Sequence, residues 1–590
     1  MTTPDVTGLA APLSALLGAG TKGTGTGVAG TSGTAADQVA AAPAAGTATG
    51  TAPATGAAPG AGATVVPAAA MAGLPGMAPV PSAGSAEGGA APSTVPGQAS
   101  ALTGAMPTTV PGQASALTDA VPTAVPGQVT ALTGAVPTTV PGTSAVPAPG
   151  AVPTEAPAAA TTAAPATTPT ATTPPAALQF PGTQRGAFSP EMARRDFPIL
   201  HRLVNGHPLV WLDNGATTQK PRQVIEAVAA FYGSANSNIH RGAHTMARDA
   251  TALYEAGRAA VADFLGAPSP EEIVFVRGTT EAINLVAQTW GRANLGPGDD
   301  ILVPVLEHHS DIVPWQQLAA ETHARVVPVP LLPDGQIDQF AYSDLLSSRT
   351  RLVAVSHASN VLGTVPPVAE MTALAHRYGA KVLVDGAQAV AHFPVDVQAM
   401  DADFYAFSGH KLFAPTGIGA LYAKPELLAS MAPWQGGGNM IESVSFDRTT
   451  FAPAPHAFEA GTGHISGVVG LLAALDWLSG FDHEAIAAYE ADLLAYARQA
   501  LAAVPGLQLL GDAPDRIAVL SFTLAGHEPT AVAQALDEGG IAVRSGHHCA
   551  QPALAHYGLD SAVRASLALY NTPEEVDRLA ASLLRIQQAS

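Results

Sequence analysis

The first aromatic side chain in this 590-residue chain is Phe180, and that position divides two unlike polymers. Residues 1–179 hold no Phe, Tyr, Trp, His or Cys, and six charged side chains: Asp5, Lys22, Asp37, Glu87, Asp119 and Glu155. The same stretch carries 25 of the 51 prolines. Ala, Thr, Gly and Pro dominate it, so little apolar surface offsets an ordering entropy of ~1–2 kcal/mol per backbone residue. Residues 1–180 therefore read as a disordered tail. As a flexible coil it would span roughly 70–80 Å root-mean-square. A 15-residue unit repeats inside it, as "TVPGQASALTGAMPT" from Thr94, "TVPGQASALTDAVPT" from Thr109 and "AVPGQVTALTGAVPT" from Ala124, with a partial "TVPG" from Thr139. Pro-Gly after each Val suits a type II turn. The repeats, over about 94–142, read either as an expanded linker or as copies of one docking peptide that gain from effective concentration. Leu9, Leu13, Leu16 and Leu17 share one helical face, though Pro12 interrupts it.

The remaining ~410 residues have the length of an enzyme with one large and one smaller core. The net charge of −20 argues against a nucleic-acid partner, which would call for Lys and Arg to neutralise phosphates. No apolar run reaches the length of a membrane span, and residues 6–19 lack the basic start of a secretory signal. A cytoplasmic location is expected. The single cysteine, Cys549, closes no intrachain disulfide.

After Phe180 short apolar runs alternate with helical stretches. "EEIVFV" (271–276), "DILVPV", "RLVAVS", "KVLVD" and "DFYAFS" read as buried strands, an α/β pattern with a largely parallel sheet. From Ile465 the text turns helical, then offers strands in "RIAVLSFTL" and "IAVRS" and a closing helix from Thr572. These runs predict a large domain over 181–464, including an N-terminal arm, and a smaller α+β domain over 465–590.

Three segments carry chemistry. In "VFVRGTTEAINL", Thr279 and Thr280 open a helix where free N–H groups and hydroxyls can hold a phosphate, though Thr280 could equally be an ordinary cap. "KVLVDGAQAV" ends a strand on Asp385, with Gln388 three residues on; Asp385 could also cap the next helix. "DFYAFSGHKLFAPTGIGALY" sets Ser408, His410 and Lys411 after another apolar strand, where a lysine of depressed pKa can act as a Schiff-base nucleophile. An anion seat, a carboxylate and an amine are together what pyridoxal 5'-phosphate requires.

With "WLDNGATTQKP", "HRGAHTMA", "LEHHSDIVPW", "SHASNVLGT", "FEAGT", "VRSGHHCAQP" and "RASLALYNT", the chain from about Phe188 onward resembles the class II, SUF-type cysteine desulfurases. Those are fold-type I pyridoxal-phosphate enzymes. The resemblance implies that Lys411 carries the cofactor, Asp385 pairs with its ring nitrogen, Gln388 approaches its phenolic oxygen and His308 stacks on the ring and assists proton transfer. It implies a phosphate seat of Thr279, Thr280, Ser408 and His410, with Thr462 reaching the phosphate of a neighbouring subunit in a homodimer. Asn360 and Arg564 would hold the carboxylate of L-cysteine, assisted by Arg544. Cys549 would take the sulfur as a persulfide, its anion favoured by Arg544, His547 and His548. The short segment closed by Pro552 implies that a separate sulfur-acceptor protein comes to the thiol. Two departures from the family text, Gly463-His464 for Pro-Asn and Gly215 for Ala, touch local loop geometry.

No metal is expected, because His547, His548 and Cys549 lack the usual zinc-ligand spacing. A selenocysteine lyase would carry the same residues, whereas an aminotransferase would leave Cys549 unexplained. The long Ala/Pro/Gly/Thr-rich extension is similar to that of encapsulin-associated cysteine desulfurases, which implies loading into an encapsulin shell through residues 1–180. Docking elsewhere and a plain linker stay open.

Overall fold

The computed structural model of the protein describes residues 188–589. The expectations for the tail, its repeats and residues 181–187 lie outside these described residues.

An N-terminal arm leads into strand β1 (Val210–Trp211), helix α1 (Arg222–Ala230) and helix α2 (Thr245–Leu265). The His244 side chain caps α2 by accepting the Ala247 N–H, and Gly266, at φ 66°, ends it in the left-handed conformation that glycine adopts without penalty. Seven strands follow: β2 (Ile273–Val276), β3 (Asp300–Pro304), β4 (Arg325–Val329), β5 (Thr350–Ser356), β6 (Lys381–Asp385), β7 (Phe404–Ser408) and β8 (Gly419–Ala423). They form one sheet in the order β2-β8-β7-β6-β5-β3-β4. Only β8 runs against its neighbours; the contacts β4-β3-β5-β6-β7 are all parallel. Strands β2, β3, β7 and β8 are buried along their whole length, and β2, β3 and β7 accordingly read as continuous apolar runs without alternation. β4 and β8 escaped the sequence reading. β4 is an edge strand with exposed Arg325 and Pro328, and β8 follows a glycine-rich turn. The expected strand at 271–276 loses its first two residues to a turn at Pro270–Glu272.

Helix α3 (Thr279–Val286) follows β2. A two-stranded hairpin, β9 (Ile441–Val444) and β10 (Thr449–Phe451), precedes helix α4 (Ile465–Ser479). α4 is apolar nearly all round and buried to match, packed against α1 and α2. A Cβ at Gly257 of α2 would stand 2.4 Å from Val468 Cγ1, so that crossing requires glycine. Position 465 thus opens a helix that completes the large core, and the smaller core begins later.

That smaller core lies among helix α5 (His483–Ala502), strands β11 (Leu507–Leu509) and β12 (Val519–Leu524), helix α6 (Pro529–Glu538), strands β13 (Ile541–Ala542), β14 (Arg544–Gly546) and β15 (Ala562–Ser566), and helix α7 (Pro573–Gln588). The antiparallel order is β11-β12-β15-β14. Leu493, Leu501, Leu536, Val576, Leu579 and Leu583 cover the sheet. Fully burying each contributes about 1.5–3 kcal/mol. Thr572 and Glu575 form a capping box that starts α7 where the sequence placed it. β1 pairs in parallel with β13, so the arm joins this C-terminal core through Val210 and Leu212. Among the described residues no single helix is long and apolar enough to cross a membrane.

Candidate active site

The carboxyl ends of β2, β3, β5, β6 and β7 face one cavity of about 190 Å³, the place where parallel sheets gather ligands. Asp385 ends β6, and Gly386 after it lies so close to Tyr405 that a Cβ would meet the ring at 2.2 Å. Asp385 is buried. Its Oδ1 accepts the Ala387 N–H at 2.8 Å, and desolvation raises its pKa. Ser408 ends β7, and the turn Gly409–Lys411 carries Lys411 to the cavity. Burial pulls the lysine down to about 8, with Asp385 opposing and the arginines Arg564 and Arg544 adding to the fall.

Gly278, at φ 155°, separates β2 from α3 and caps that helix without a side chain, so Thr280 is not the N-cap. A Cβ at Gly278 would stand 2.9 Å from Ser408 Oγ, which instead accepts the Thr279 N–H at 2.9 Å and lies 2.9 Å from Thr279 Oγ1. Hydroxyls and helix-terminal N–H groups thus converge as an anion seat. His308, after β3, accepts the Ser310 N–H on Nδ1 at 3.1 Å, which leaves the proton of the neutral ring on Nε2. Burial holds its pKa near 3 and that of His410 near 4. Gln388 donates to the Gly215 carbonyl at 2.8 Å.

The opposite wall comes from the four-stranded sheet. Arg544 on β14 and Arg564 on β15 are direct cross-strand partners. Like charges so placed repel, and Arg564 is 2% exposed with its Nε unpaired. Asp213 accepts from Arg564 Nη2 at 3.0 Å and the Asn360 carbonyl from Nη1 at 2.9 Å, yet desolvation still lowers the arginine. Two cations against one partial counter-ion make a ready carboxylate seat. The Cys549 loop follows β14. His548 and Cys549 adopt φ 52° and 55°, a left-handed conformation costing roughly 1–2 kcal/mol per non-glycine residue. Three bonds hold it: Asn360 Nδ2 to the His548 carbonyl at 2.7 Å, the His309 N–H to the Cys549 carbonyl at 2.8 Å, and His548 Nε2 to the Ala562 carbonyl at 3.0 Å.

Of the residues given a role in the sequence, thirteen line this cavity: Thr279, Thr280, His308, Asn360, Asp385, Gln388, Ser408, His410, Lys411, Arg544, His548, Cys549 and Arg564. Thr462 does not. It is exposed at a second cavity of about 550 Å³ with Arg277, Trp434 and His464. Its loop is fixed by Glu459, which pairs with Arg258 Nη1 at 2.6 Å and accepts the Phe275 N–H at 2.8 Å. One expectation is corrected: His548 is buried, donates to Ala562 and stays neutral near pKa 3, so it lends no positive charge to the thiol. Both departures from the family text fit their surroundings. A Cβ at Gly463 would meet the Tyr254 hydroxyl at 2.9 Å, and one at Gly215 would crowd Arg564 at 3.2 Å.

Sequence reasoning missed Glu307, Asp311 and His309, although all three lie in the quoted "LEHHSDIVPW". Glu307 accepts the Ser356 N–H at 2.9 Å, and burial raises both Glu307 and Asp311. The available signal was two carboxylates, Glu307 and Asp311, in the turn just after a wholly buried strand.

Residues 210–579 match the family described as Aminotransferase class-V. The chain belongs to that family. It is 57% identical over 403 residues to a cysteine desulfurase of Synechococcus elongatus, a match covering 68% of this chain and 64% of that relative's own length. A cysteine desulfurase of Klebsiella pneumoniae is 55% identical over 68% of this chain and 99% of its own. The crystal structure of the Escherichia coli cysteine desulfurase CsdA in an S-sulfonic acid form aligns with a TM-score of 0.64 at 44% identity, over 68% of this chain and all of that one. The fold is therefore fold type I, a mainly parallel seven-stranded sheet beside a smaller α+β unit. Its residues fit pyridoxal phosphate. The Thr279–Ser408 seat suits the phosphate, a ring cation would relieve the buried Asp385, and Lys411 offers a deprotonatable amine.

Proposed function

We propose that this chain is a pyridoxal-phosphate-dependent L-cysteine desulfurase of the SUF type, which releases L-alanine and captures sulfur on Cys549. The observation that carries the reading is that Lys411, Asp385, two facing arginines and the single thiol share one cavity. Thr279, Thr280, Ser408 and His410 would hold the phosphate, Asp385 the ring nitrogen, Gln388 the phenolic oxygen and Lys411 the aldehyde carbon, with His308 against the ring face. When bound, the cofactor supplies an electron sink for negative charge at the substrate α-carbon.

The chain's own residues do the rest. Arg564, Arg544 and Asn360 bind the substrate carboxylate. Lys411 Nζ, freed by the substrate amine, takes and returns the α-proton, which its pKa near 8 allows close to neutrality. The Cys549 thiolate attacks the substrate sulfur. An S–S bond forms as the Cβ–S bond breaks, the electron pair stays on the carbon skeleton, and protonation gives alanine. Incubation with L-cysteine should yield alanine and a mass increase of one sulfur on the Cys549 peptide. Alanine without that persulfide would reject the assignment.

The homodimer rests on Thr462, whose exposure away from the cavity is what a residue serving a neighbouring subunit's phosphate would require. Residues 1–180 we read as an address that docks on an encapsulin shell, with a sulfur-acceptor protein meeting the thiol. Composition and repeats support this, and over a third of the Synechococcus relative also lies outside the match. Fusing residues 1–180 to a fluorescent protein should transfer shell association; a fusion that stays free would refute it.

A further inference from the structure

The trio His547, His548 and Cys549 does not assemble, because His548 turns to the Ala562 carbonyl. Another trio does. His309, His547 and Cys549 each present a ligand atom, and all three atoms lie within 4.8 Å of one another. In the structure a backbone N–H engages the lone pair of each ring, a bond that a bound metal ion would replace. The Cys549 N–H donates to His547 Nδ1 at 3.0 Å, the Gln551 N–H donates to His309 Nε2 at 3.3 Å, and the His309 N–H donates to the Cys549 carbonyl. The two imidazoles stack with centroids 5.5 Å apart and 29° between their planes. The His309 ring has no task in the sulfur transfer described above, and His547 was expected there only to favour the Cys549 anion.

We propose that His309, His547 and Cys549 form a binding site for a soft divalent cation, Zn²⁺ above all, whose occupancy withdraws the thiol from sulfur transfer. Zinc binds imidazole nitrogen at about 2.0–2.1 Å and thiolate sulfur at about 2.3 Å in a tetrahedron, which sets such ligands ~3.6 Å apart. Closing from the present spacing takes a side-chain adjustment of up to about 1.5 Å, and His547 is exposed and free to make it. Three protein ligands leave the fourth position to water, and the exposed His547 gives the ion a path from solvent.

Arg544 and Arg564 stand on the same cavity and repel any cation. Affinity must therefore come from nitrogen and sulfur bonding and not from the local field. Mg²⁺ and Ca²⁺, which need oxygen ligands, gain nothing here. On binding, the S–H bond breaks, the Zn–S bond forms and the proton leaves to solvent. The inhibitory consequence rests on Cys549 being the sulfur-capturing thiol; the site itself does not.

The test uses holoenzyme stripped of adventitious metal with a chelator. Zn²⁺ at micromolar concentration should slow alkylation of Cys549 by iodoacetamide at one equivalent per chain, while Mg²⁺ should not. His309→Ala and the exposed-site variant His547→Gln should each weaken that protection by ~10²-fold, with the cofactor absorbance retained as the check on folding. Zinc held elsewhere, as by the cluster of His240, Glu255 and His456, leaves the thiol reactive and is not counted by this readout. Alkylation unaffected by Zn²⁺, or protection that survives both substitutions, overturns the site. Protection accompanied by unchanged alanine release would uphold the site and overturn the role of Cys549 instead.

Discussion

The two sheets meet at one cavity but bring different physics to it. The seven-stranded sheet contributes groups whose charge is suppressed by burial: Lys411 falls to about 8, His308 to about 3, and Asp385 rises. The four-stranded sheet contributes charge held against its own repulsion, in the facing pair Arg544 and Arg564, and a thiol on a strained loop. The first wall suits a covalently held cofactor whose phosphate takes the anion seat and whose ring nitrogen offsets one buried carboxylate. The second suits an incoming anion and a nucleophile. On the proposed roles, the comparison assigns cofactor capture and sulfur capture to separate cores, joined through the β1–β13 contact.

That division can be broken by substitution. The largest effect should come from the first wall. Lys411→Ala removes the amine proposed to hold the cofactor and move the proton, so turnover should fall by at least ~10²–10⁴-fold. Borohydride reduction followed by peptide mapping should find the cofactor on Lys411 in the native enzyme and on no lysine in the variant. On the second wall, Arg564→Lys keeps the charge but loses the planar fork, which costs about 1.5–3 kcal/mol, or roughly 10–100-fold in kcat/KM. Cofactor absorbance should be unchanged by that variant; its loss would tie the two walls together.

A smaller effect sharpens the comparison through pH. Because burial lowers Lys411 to about 8, the reactive neutral amine is a minority below that pH and dominates above it. Capture of pyridoxal phosphate by cofactor-free protein should therefore accelerate about tenfold per pH unit up to about pH 8 and then level off. A break near the ordinary lysine value of about 10.4 would show that the lysine is solvated. The smallest effect belongs to residues 1–180. Their deletion should leave kcat and KM on free L-cysteine unchanged, since all of them before Phe180 offer no aromatic or histidine side chain from which to build a pocket.

Much of this arrangement was legible before the structure. Strands buried on both faces, such as β6 and β7, announce themselves as unbroken apolar runs, and the residues that end them fall at the carboxyl edge where ligands bind. β4 was not legible, because Pro328 sits inside this edge strand, and β15 was not, because Arg564 interrupts "AVRAS" in the middle of a buried strand. The boundary at 465 misled for a related reason. Helix α4 looks like a new domain in sequence, but its uniform apolarity is that of a helix buried between α1 and α2. His309 was overlooked because its partners, His547 and Cys549, are more than 200 residues away. Spacing arguments see ligands within a loop and are blind to those that a fold brings together.

The separation of the two walls is tested most directly by Cys549→Ser, measured in one cuvette. The account predicts that the variant keeps the full cofactor absorbance and shifts it on adding L-cysteine, yet releases almost no alanine. Alanine release near the native rate, or loss of the cofactor absorbance, would contradict it.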